Sequence, residues 1–290
     1  MKKITLLMLL VVFLSGCVTY DKGKVSLLYC LNPEGITLEN YRVSTLQVST
    51  GGKTQILFTL TNKCRNPLTI KNIKVIDLSA FKDYEVTCGN NKGKSLSITI
   101  DPFQSKICSV ELYAPEHVET SIPSTIIFSY SFDFENKKTL LVPIIDGITV
   151  KRPSSSYRED DENFGYVHIE VSPPIGNIKV ENDEVIKEYW GTVNQPFKIE
   201  FYLLPRMYKE KVDFNIKEVN VISAEKSMIQ NCEDFSKSIE RANRMQLKEK
   251  VPFRCEFKYT ANVAEVYSRI EIITTYTVTI YKYQAFAISP

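Results

Sequence analysis

Histidine and tryptophan are nearly absent from this chain. In 290 residues there are two of the former, His117 and His168, and one of the latter, Trp190. Chemistry that leans on imidazole, as general base or metal ligand, therefore has few places to reside. Neither histidine sits in a motif: His117 lies in "APEHVETS" and His168 in "YVHIEVS". There is no GxSxG elbow, no HExxH helix, no GxxxxGK phosphate loop and no DxDxDG calcium loop, which removes the commonest hydrolase, metalloprotease, nucleotide and calcium readings. No CxxC spacing occurs, so neither a zinc ribbon nor a thioredoxin-type redox pair is written here. No sign of charge dominates, with 36 basic and 34 acidic side chains. The first 16 residues hold two lysines and no acids, so the remainder balances at 34 against 34. A neutral chain offers no global field for nucleic acid or anionic lipid. Long apolar runs are missing as well: the longest, Leu6 to Leu14, has nine residues. A bilayer span needs roughly twenty. The residues thus predict no enzyme, no cofactor, no metal, no nucleic-acid partner and no evident small-molecule substrate.

That short apolar run follows Lys2 and Lys3 and ends in Leu14-Ser15-Gly16-Cys17. Charge, length and small residues fit the positive and apolar regions of a secretory signal over residues 1–16. The segment Leu14 to Cys17 resembles the lipobox of prokaryotic lipoproteins. The resemblance implies cleavage before Cys17, lipid attachment to its thiol and acylation of the new amine. Two or more acyl chains anchor stably where one does not. Val18 follows, rather than the Asp that would signal inner-membrane retention, so the resemblance implies an extracytoplasmic envelope protein, on the outer membrane if the cell has one.

Six cysteines follow Cys17, an even number in a chain expected to enter an oxidising compartment. An internal repeat sorts them. "KTQILFTLTNKCRNPLTIKNIKVI" aligns with "PFKIEFYLLPRMYKEKVDFNIKEVNVI", and "PFQSKICSVELYAP" with "EKVPFRCEFKYTA". In each copy an earlier cysteine precedes the last of these strands, Cys88 before Cys108 and Cys232 before Cys255. The repeat predicts disulfides within each copy, Cys88–Cys108 and Cys232–Cys255, and leaves Cys30 to pair with Cys64. Each would contribute about 2–4 kcal/mol by restricting the unfolded chain.

Strand signals dominate both copies. "TQILFTLTN", "LTIKNIKVIDL", "KSLSITI", "CSVELYA", "STIIFSYSFDF" and "TLLVPII" succeed one another in the first, and "FKIEFYLL", "FNIKEVNVI", "PFRCEFKYT" and "SRIEIITTYTVTIYKYQAFAI" in the second. Alternation such as Cys108, Val110 and Leu112 against Ser109 and Glu111 marks half-buried strands. About seven short strands per copy predict an all-β fold: two tandem Ig-like β-sandwiches, with a short helical insertion in the second. The stretch "ILFTLTNKCRNPLTIKNIKV" is similar to the Ig-like adhesion and CARDB-type or fibronectin-like modules of prokaryotic surface proteins. The Cys…Trp…Cys signature of antibody domains is absent, since Trp190 precedes both cysteines of its copy. The expected organisation is a signal at 1–16, a lipidated tether at 17–35, a sandwich at 36–150, a polar linker at 151–165 and a second sandwich at 166–290. In "NCEDFSKSIERANRMQLKEK" helical spacing of Phe235, Ile239, Ala242 and Met245 predicts a helix from Glu233 to Lys248, capped by Asn231. It reads either as a cover for a sheet edge or as a partner-binding insertion.

Two further features are candidates for binding. The acidic run Glu159 to Glu162 reads as solvated linker rather than a cation site, because consecutive side chains diverge. Tyr276, Tyr281 and Tyr283 stand in a Tyr/Thr-rich strand that either finishes a core or presents a binding face. Together these readings predict a non-catalytic, membrane-anchored envelope lipoprotein whose sandwiches are structural and protein-interaction modules. The alternative is a surface adhesin or polysaccharide-binding lipoprotein, which requires a concave aromatic face. A hydrolase with an unrecognised site comes last.

Overall fold

The computed structural model describes residues 35–161, 165–181, 184–206, 210–224, 229–260 and 262–290. Cys17, Cys30, the expected signal at 1–16 and all of the expected tether but Gly35 lie outside these residues. Nineteen strands and one helix make up the described chain.

One sheet holds β1 (Ile36–Val43), β3 (Lys53–Asn62), β8 (Ser105–Tyr113), β5 (Asp83–Cys88) and β6 (Asn91–Gly93), in that order. A second holds β11 (Val167–Ser172), β15 (Pro196–Pro205), β18 (Pro252–Lys258) and β17 (Ile229–Cys232). The second order repeats the first four strands of the first, with no counterpart to β6: β3 and β15 are the aligned repeats, as are β8 and β18. The two cysteine pairs occupy equivalent rungs, with Cys88 facing Cys108 and Cys232 facing Cys255 across paired strands, and both pairs are bonded. Cys64 is buried and disulfide-bonded; Cys30, the partner the repeat assigns to it, lies outside the described residues.

Both small sheets pack onto one shared layer. Its axis is a pair of long strands, β9 (Ile122–Ile145) and β19 (Glu265–Ser289), antiparallel without a register break from Ile122 opposite Ile288 to Ile145 opposite Glu265. At ~3.4 Å per residue this ribbon spans about 80 Å. β4 (Leu68–Asp77) pairs the first half of β9, β7 (Leu96–Ile100) pairs β4, and β16 (Lys211–Ser223) pairs β19. Even-numbered residues of the ribbon point inward along its whole length. Phe128, Phe132, Phe134, Leu140, Val142 and Ile144 of β9 are buried, as are Ile272, Tyr276, Val278 and Ile280 of β19. Phe58 of the first sheet stacks on Phe128 at 5.3 Å, and the core runs unbroken from one half to the other.

The repeats are therefore not tandem beads. "STIIFSYSFDF" and "TLLVPII", expected as separate strands, are one strand, and the last half of β9 and the last half of β19 each complete the other repeat's sandwich. Residues 151–165, expected as linker, include β10 (Arg158–Asp161), which pairs the second half of β9. The chain is all-β in layers, but its two sandwiches share a layer.

The seam lies at Phe134. Its ring meets the backbone of Gly35 before β1 and of Gly165 before β11; a Cβ at either would lie within 2.6 Å of it. Gly35 also has φ +61°, a conformation glycine adopts without strain. Beside it a buried triangle locks β11 to the ribbon. The Tyr276 hydroxyl donates to Asn136 Oδ1 at 3.0 Å, Asn136 Nδ2 donates to the Val167 carbonyl, and the Val167 N–H donates to the Tyr276 hydroxyl at 3.3 Å.

The helix, α1 (Phe235–Arg244), is shorter than predicted and is capped by Asp234 rather than Asn231, its carboxylate accepting from the Ser236 N–H at 3.0 Å. Gln246 and Leu247 then take positive φ and end it. α1 covers an edge. Asn243 Oδ1 accepts from the Ile216 N–H at 2.6 Å and Asn243 Nδ2 donates to the Ile216 carbonyl at 2.9 Å, while Gln246 Oε1 accepts from the Phe214 N–H at 2.7 Å. Two amide side chains thus stand where a neighbouring strand would, closing the free side of β16 against edge-to-edge pairing. Phe235 packs edge-on against Phe201 and Phe253 of the opposite sheet, so α1 joins both layers.

Candidate functional site

Among the described residues the polar groups singled out in the sequence are mostly spent on the fold. Glu159 and Asp161 of the acidic run flank the buried Lys138 ammonium at 2.5 and 3.5 Å, and Lys138 also donates to the Ile169 carbonyl at 2.8 Å. A buried ammonium needs such partners, so this half of the run is the counter-charge that holds β10 on the edge of β9. Glu162 lies outside the described residues. His168 faces Asp161 at 3.8 Å, and burial lowers its pKa against the pull of that carboxylate. His117 stands exposed in the loop after β8. Among the described residues no three His, Cys, Asp or Glu side chains lie close enough together to hold a metal ion. Tyr276 is core. Tyr281 donates to Asp213 at 2.8 Å, and Tyr283 is exposed on the outer face of the ribbon.

The structure gathers aromatic residues elsewhere, at the far end of the second sandwich. β12 (Ile175–Glu181) and β13 (Glu184–Tyr189) form a hairpin hydrogen-bonded to no other sheet among the described residues. Directly after it comes Trp190, then β14 (Gly191–Thr192), which pairs the end of β9 in parallel. A groove of about 250 Å³ lies between the hairpin base and the segment 152–157. Its walls include Tyr157, Tyr189 and Trp190, with Arg152 and Lys187 at its margin. Tyr157 and Tyr189 meet edge to face at 6.0 Å.

Each wall is fixed by a local cause. Glu265 accepts from the Ser154 N–H at 2.6 Å, and the Tyr267 hydroxyl accepts from the Ser155 N–H at 2.7 Å, which straps the 152–157 segment across the outer face of β19. Glu188 fastens the other wall: its Oε1 faces Lys179 at 3.0 Å and Arg152 at 3.4 Å, and its Oε2 accepts from Asn177 at 3.0 Å. Trp190 is 9% exposed yet stands outside the main core. It is buried by the Gly176 backbone, where a Cβ would lie within 2.5 Å of three indole atoms.

Two features adjoin the groove. The hairpin carries Ile175, Ile178, Val185 and Ile186, all exposed. Four apolar side chains on one free ribbon mark a contact surface better than scattered single ones do. A wider hollow of about 850 Å³ opens between loops 146–149, 192–195 and 262–264. There Asp146 accepts from the Thr149 hydroxyl and from the N–H groups of Val150, Ile148 and Thr149, which pull its carboxyl down to about 2. This turn presents Ile148, 79% exposed.

The aromatic groove was not legible in the sequence. Tyr157 is separated in the chain from Tyr189 and Trp190 by the hairpin, and it lies on a strap whose docking depends on Glu265 and Tyr267, about 110 residues away in the chain. The one available signal was the lone tryptophan followed by glycine, outside both alternating strand patterns.

No family model matches this chain, and no curated protein matches it. Among solved structures, a secreted serine protease, VesC from Vibrio cholerae, aligns at 12% identity over 86% of this chain and 51% of its own, with a TM-score of 0.21. The chain thus spans about half the length of that protein. The Enterococcus faecalis MSCRAMM ACE, described as binding its ligands by a collagen hug, aligns at 7% identity over 87% of this chain and 94% of its own, TM-score 0.15. The collagen adhesin CNA from S. aureus aligns at 10% identity over 89% and 93%, TM-score 0.13. Superpositions this poor assign no fold family, ligand or activity to the chain.

Proposed function

We propose that this chain is a non-catalytic, lipid-anchored envelope protein that holds a protein partner in the groove at the far end of its second sandwich. The observation that carries the reading is the groove itself: Tyr189 and Trp190, which stand outside the main core, meet Tyr157, which packs on it, between a hairpin and a strap that are fixed by Glu188, Glu265 and Tyr267. Aromatic rings on a rigid support are the groups from which protein contacts draw most of their energy. The resemblance of Leu14 to Cys17 to a lipobox supports anchoring through Cys17. From the first described residue, Gly35 beside Phe134, to the strand end near Trp190 is ten ribbon residues, about 33 Å. The groove would therefore stand well away from the point where the tether joins the body.

A polysaccharide-binding adhesin is the second reading, and the same concave aromatic surface favours it. A photo-reactive side chain at Lys187 in cells, with one at Lys92 on the first sheet as control, separates the two. The proposal expects a discrete protein adduct from Lys187 alone, and release of the protein from membranes by Cys17→Ser. Adducts from both positions alike, or none from Lys187, contradict it.

A further inference from the structure

We infer that the free side of β1 is a docking site for this chain's own segment Val25 to Tyr29, which adds there as an antiparallel strand. The two repeats supply the comparison. β1 and β11 are equivalent edge strands. Ile36 faces Asn62 of β3 where Val167 faces Pro205 of β15, and Leu38 faces Leu60 where Ile169 faces Leu203. The Gly35 carbonyl accepts from the Lys63 N–H at 2.8 Å, and the Tyr166 carbonyl from the Arg206 N–H at 2.9 Å. Backbone groups alternate along a strand, so those of Ile36 and Leu38, and of Val167 and Ile169, point to the free side. In β11 that side is held by the ribbon. Asn136 donates to the Val167 carbonyl, the Tyr276 hydroxyl accepts from its N–H, and Lys138 donates to the Ile169 carbonyl. In β1 no group among the described residues takes those of Ile36 or Leu38. Yet Ile36 is only 1% exposed. Buried backbone groups are paired in the great majority of cases.

Covalent connection selects the occupant. Cys64 is disulfide-bonded, and the other four described cysteines are bonded to one another. With Cys17 as the proposed lipid site, the partner of Cys64 is Cys30. The Cys64 sulfur lies 3.6 Å from where a Cβ on Gly35 would stand. A disulfide keeps its two Cα atoms within about 7 Å, so Cys30 is pinned beside the start of β1. Only Leu31 to Glu34 separate it from Gly35. That length turns a chain back antiparallel and falls short of the dozen or so residues that a parallel crossover takes. Asn32, Pro33 and Gly35 are turn residues, and Gly35 has φ +61°. Just upstream, Val25, Leu27 and Tyr29 alternate with Ser26, which gives a strand there an apolar face to set beside the core-facing Ile36 and Leu38. The pinned segment is held at high effective concentration at this edge, an advantage that a second copy lacks. Antiparallel addition carries the upstream chain toward Val43. From there β1 leads to β2 (Gln47–Ser49), which pairs Ala287 to Ser289 at one end of the ribbon, while β14 pairs Ile144 and Ile145 at the other. If the anchor is Cys17, as proposed above, the tether then leaves the body at the end opposite the Trp190 groove.

Hydrogen exchange of the chain purified in detergent, resolved by residue with electron-transfer fragmentation, tests this. At least two amides within Val25 to Tyr29, and those of Ile36 and Leu38, should exchange about a hundredfold slower than in an unstructured peptide, at every protein concentration. Leu27→Pro, which cannot donate to a ladder, should speed exchange at Ile36 and Leu38 about tenfold and leave Thr61, on the other side of β1, unchanged. Thr19→Pro, upstream of the strand, should alter none of these amides. Free exchange at Ile36 and Leu38 overturns the inference. So does protection there with free exchange throughout Val25 to Tyr29. Protection that falls on dilution overturns it too, by giving the edge to a second copy. None of these outcomes touches the groove, whose test is the adduct at Lys187, so the two proposals fail separately.

Discussion

Removing one hydroxyl, in Tyr276→Phe, tests how the second repeat is held to the ribbon. The side chain is fully buried, and its ring lies 5.9 Å from Phe134 and 6.5 Å from Phe214, contacts that phenylalanine keeps. No cavity larger than an oxygen atom is made. What changes is hydrogen bonding. The Val167 N–H loses its acceptor, and Asn136 Oδ1 loses its donor, in a site where Asn136 is 2% exposed and water has little access. A buried polar group left unpaired costs about 1–3 kcal/mol. The Val167 contact is the longer of the two, so the sum should fall near ~2–4 kcal/mol. Against a total stability of about 5–15 kcal/mol this is a large loss from a conservative change. Urea unfolding of the full-length chain with disulfides intact, followed by far-UV circular dichroism, measures it. Asn136→Leu should couple to Tyr276→Phe by at least ~0.5 kcal/mol, because the two side chains hydrogen-bond each other and both hold the backbone of Val167. A loss below ~0.5 kcal/mol in Tyr276→Phe, or strict additivity in the double variant, would refute the triangle as the fastening of β11.

Other outcomes follow from the same structure. Asn243→Ala frees the N–H and carbonyl of Ile216 on the side of β16 away from β19; it should cost about 1–3 kcal/mol and raise the rate of concentration-dependent aggregation seen by light scattering. Gly176→Ala places a methyl inside the Trp190 ring, so the indole must move out, and its emission maximum should shift to longer wavelength. Asp133 bridges the outer face of the ribbon. Burial disfavours its charge, but hydrogen bonds from Lys217, Lys71 and Thr277 outweigh that and bring its pKa to about 2. A carboxyl with a depressed folded pKa stabilises above its unfolded value of roughly 3.9 and loses that contribution as pH falls toward 2. The melting-temperature gap between the native chain and Asp133→Asn should be constant above pH 5 and close between pH 4 and pH 2.

How much of this could be read from the residues alone differs from one feature to another. Alternation marked the strands, and the repeat of "FTLTN" and "FYLLP" with their paired cysteines marked two sheets of like order. The shared ribbon was hidden by its own middle. "DFENKK" (Asp133 to Lys138) has the composition of a turn, yet it runs straight through the seam. Its polar groups find partners far along the chain: Asn136 at Tyr276 and Val167, Lys137 at Glu271, and Lys138 at Glu159. Polarity signals a turn only where water is the alternative partner; here the protein supplies the partners, and the strand continues. The linker misled for the complementary reason, since Glu159 and Asp161 look solvated until Lys138 is placed between them. The helix was visible, but its use as an edge cover depended on Asn243 meeting Ile216, a contact between elements that no periodicity encodes.

The two repeats are one body, so that Gly35 beside Phe134 and the groove beside Trp190 stay in fixed relation. Unfolding of the full-length chain, disulfides intact, tests this most directly when recorded at once by Trp190 emission, which reports only the second repeat, and by far-UV circular dichroism, which reports both. A shared 24-residue strand pair predicts coincident transitions with one midpoint. Two separated transitions, with the tryptophan signal complete while half the strand signal persists, would contradict it.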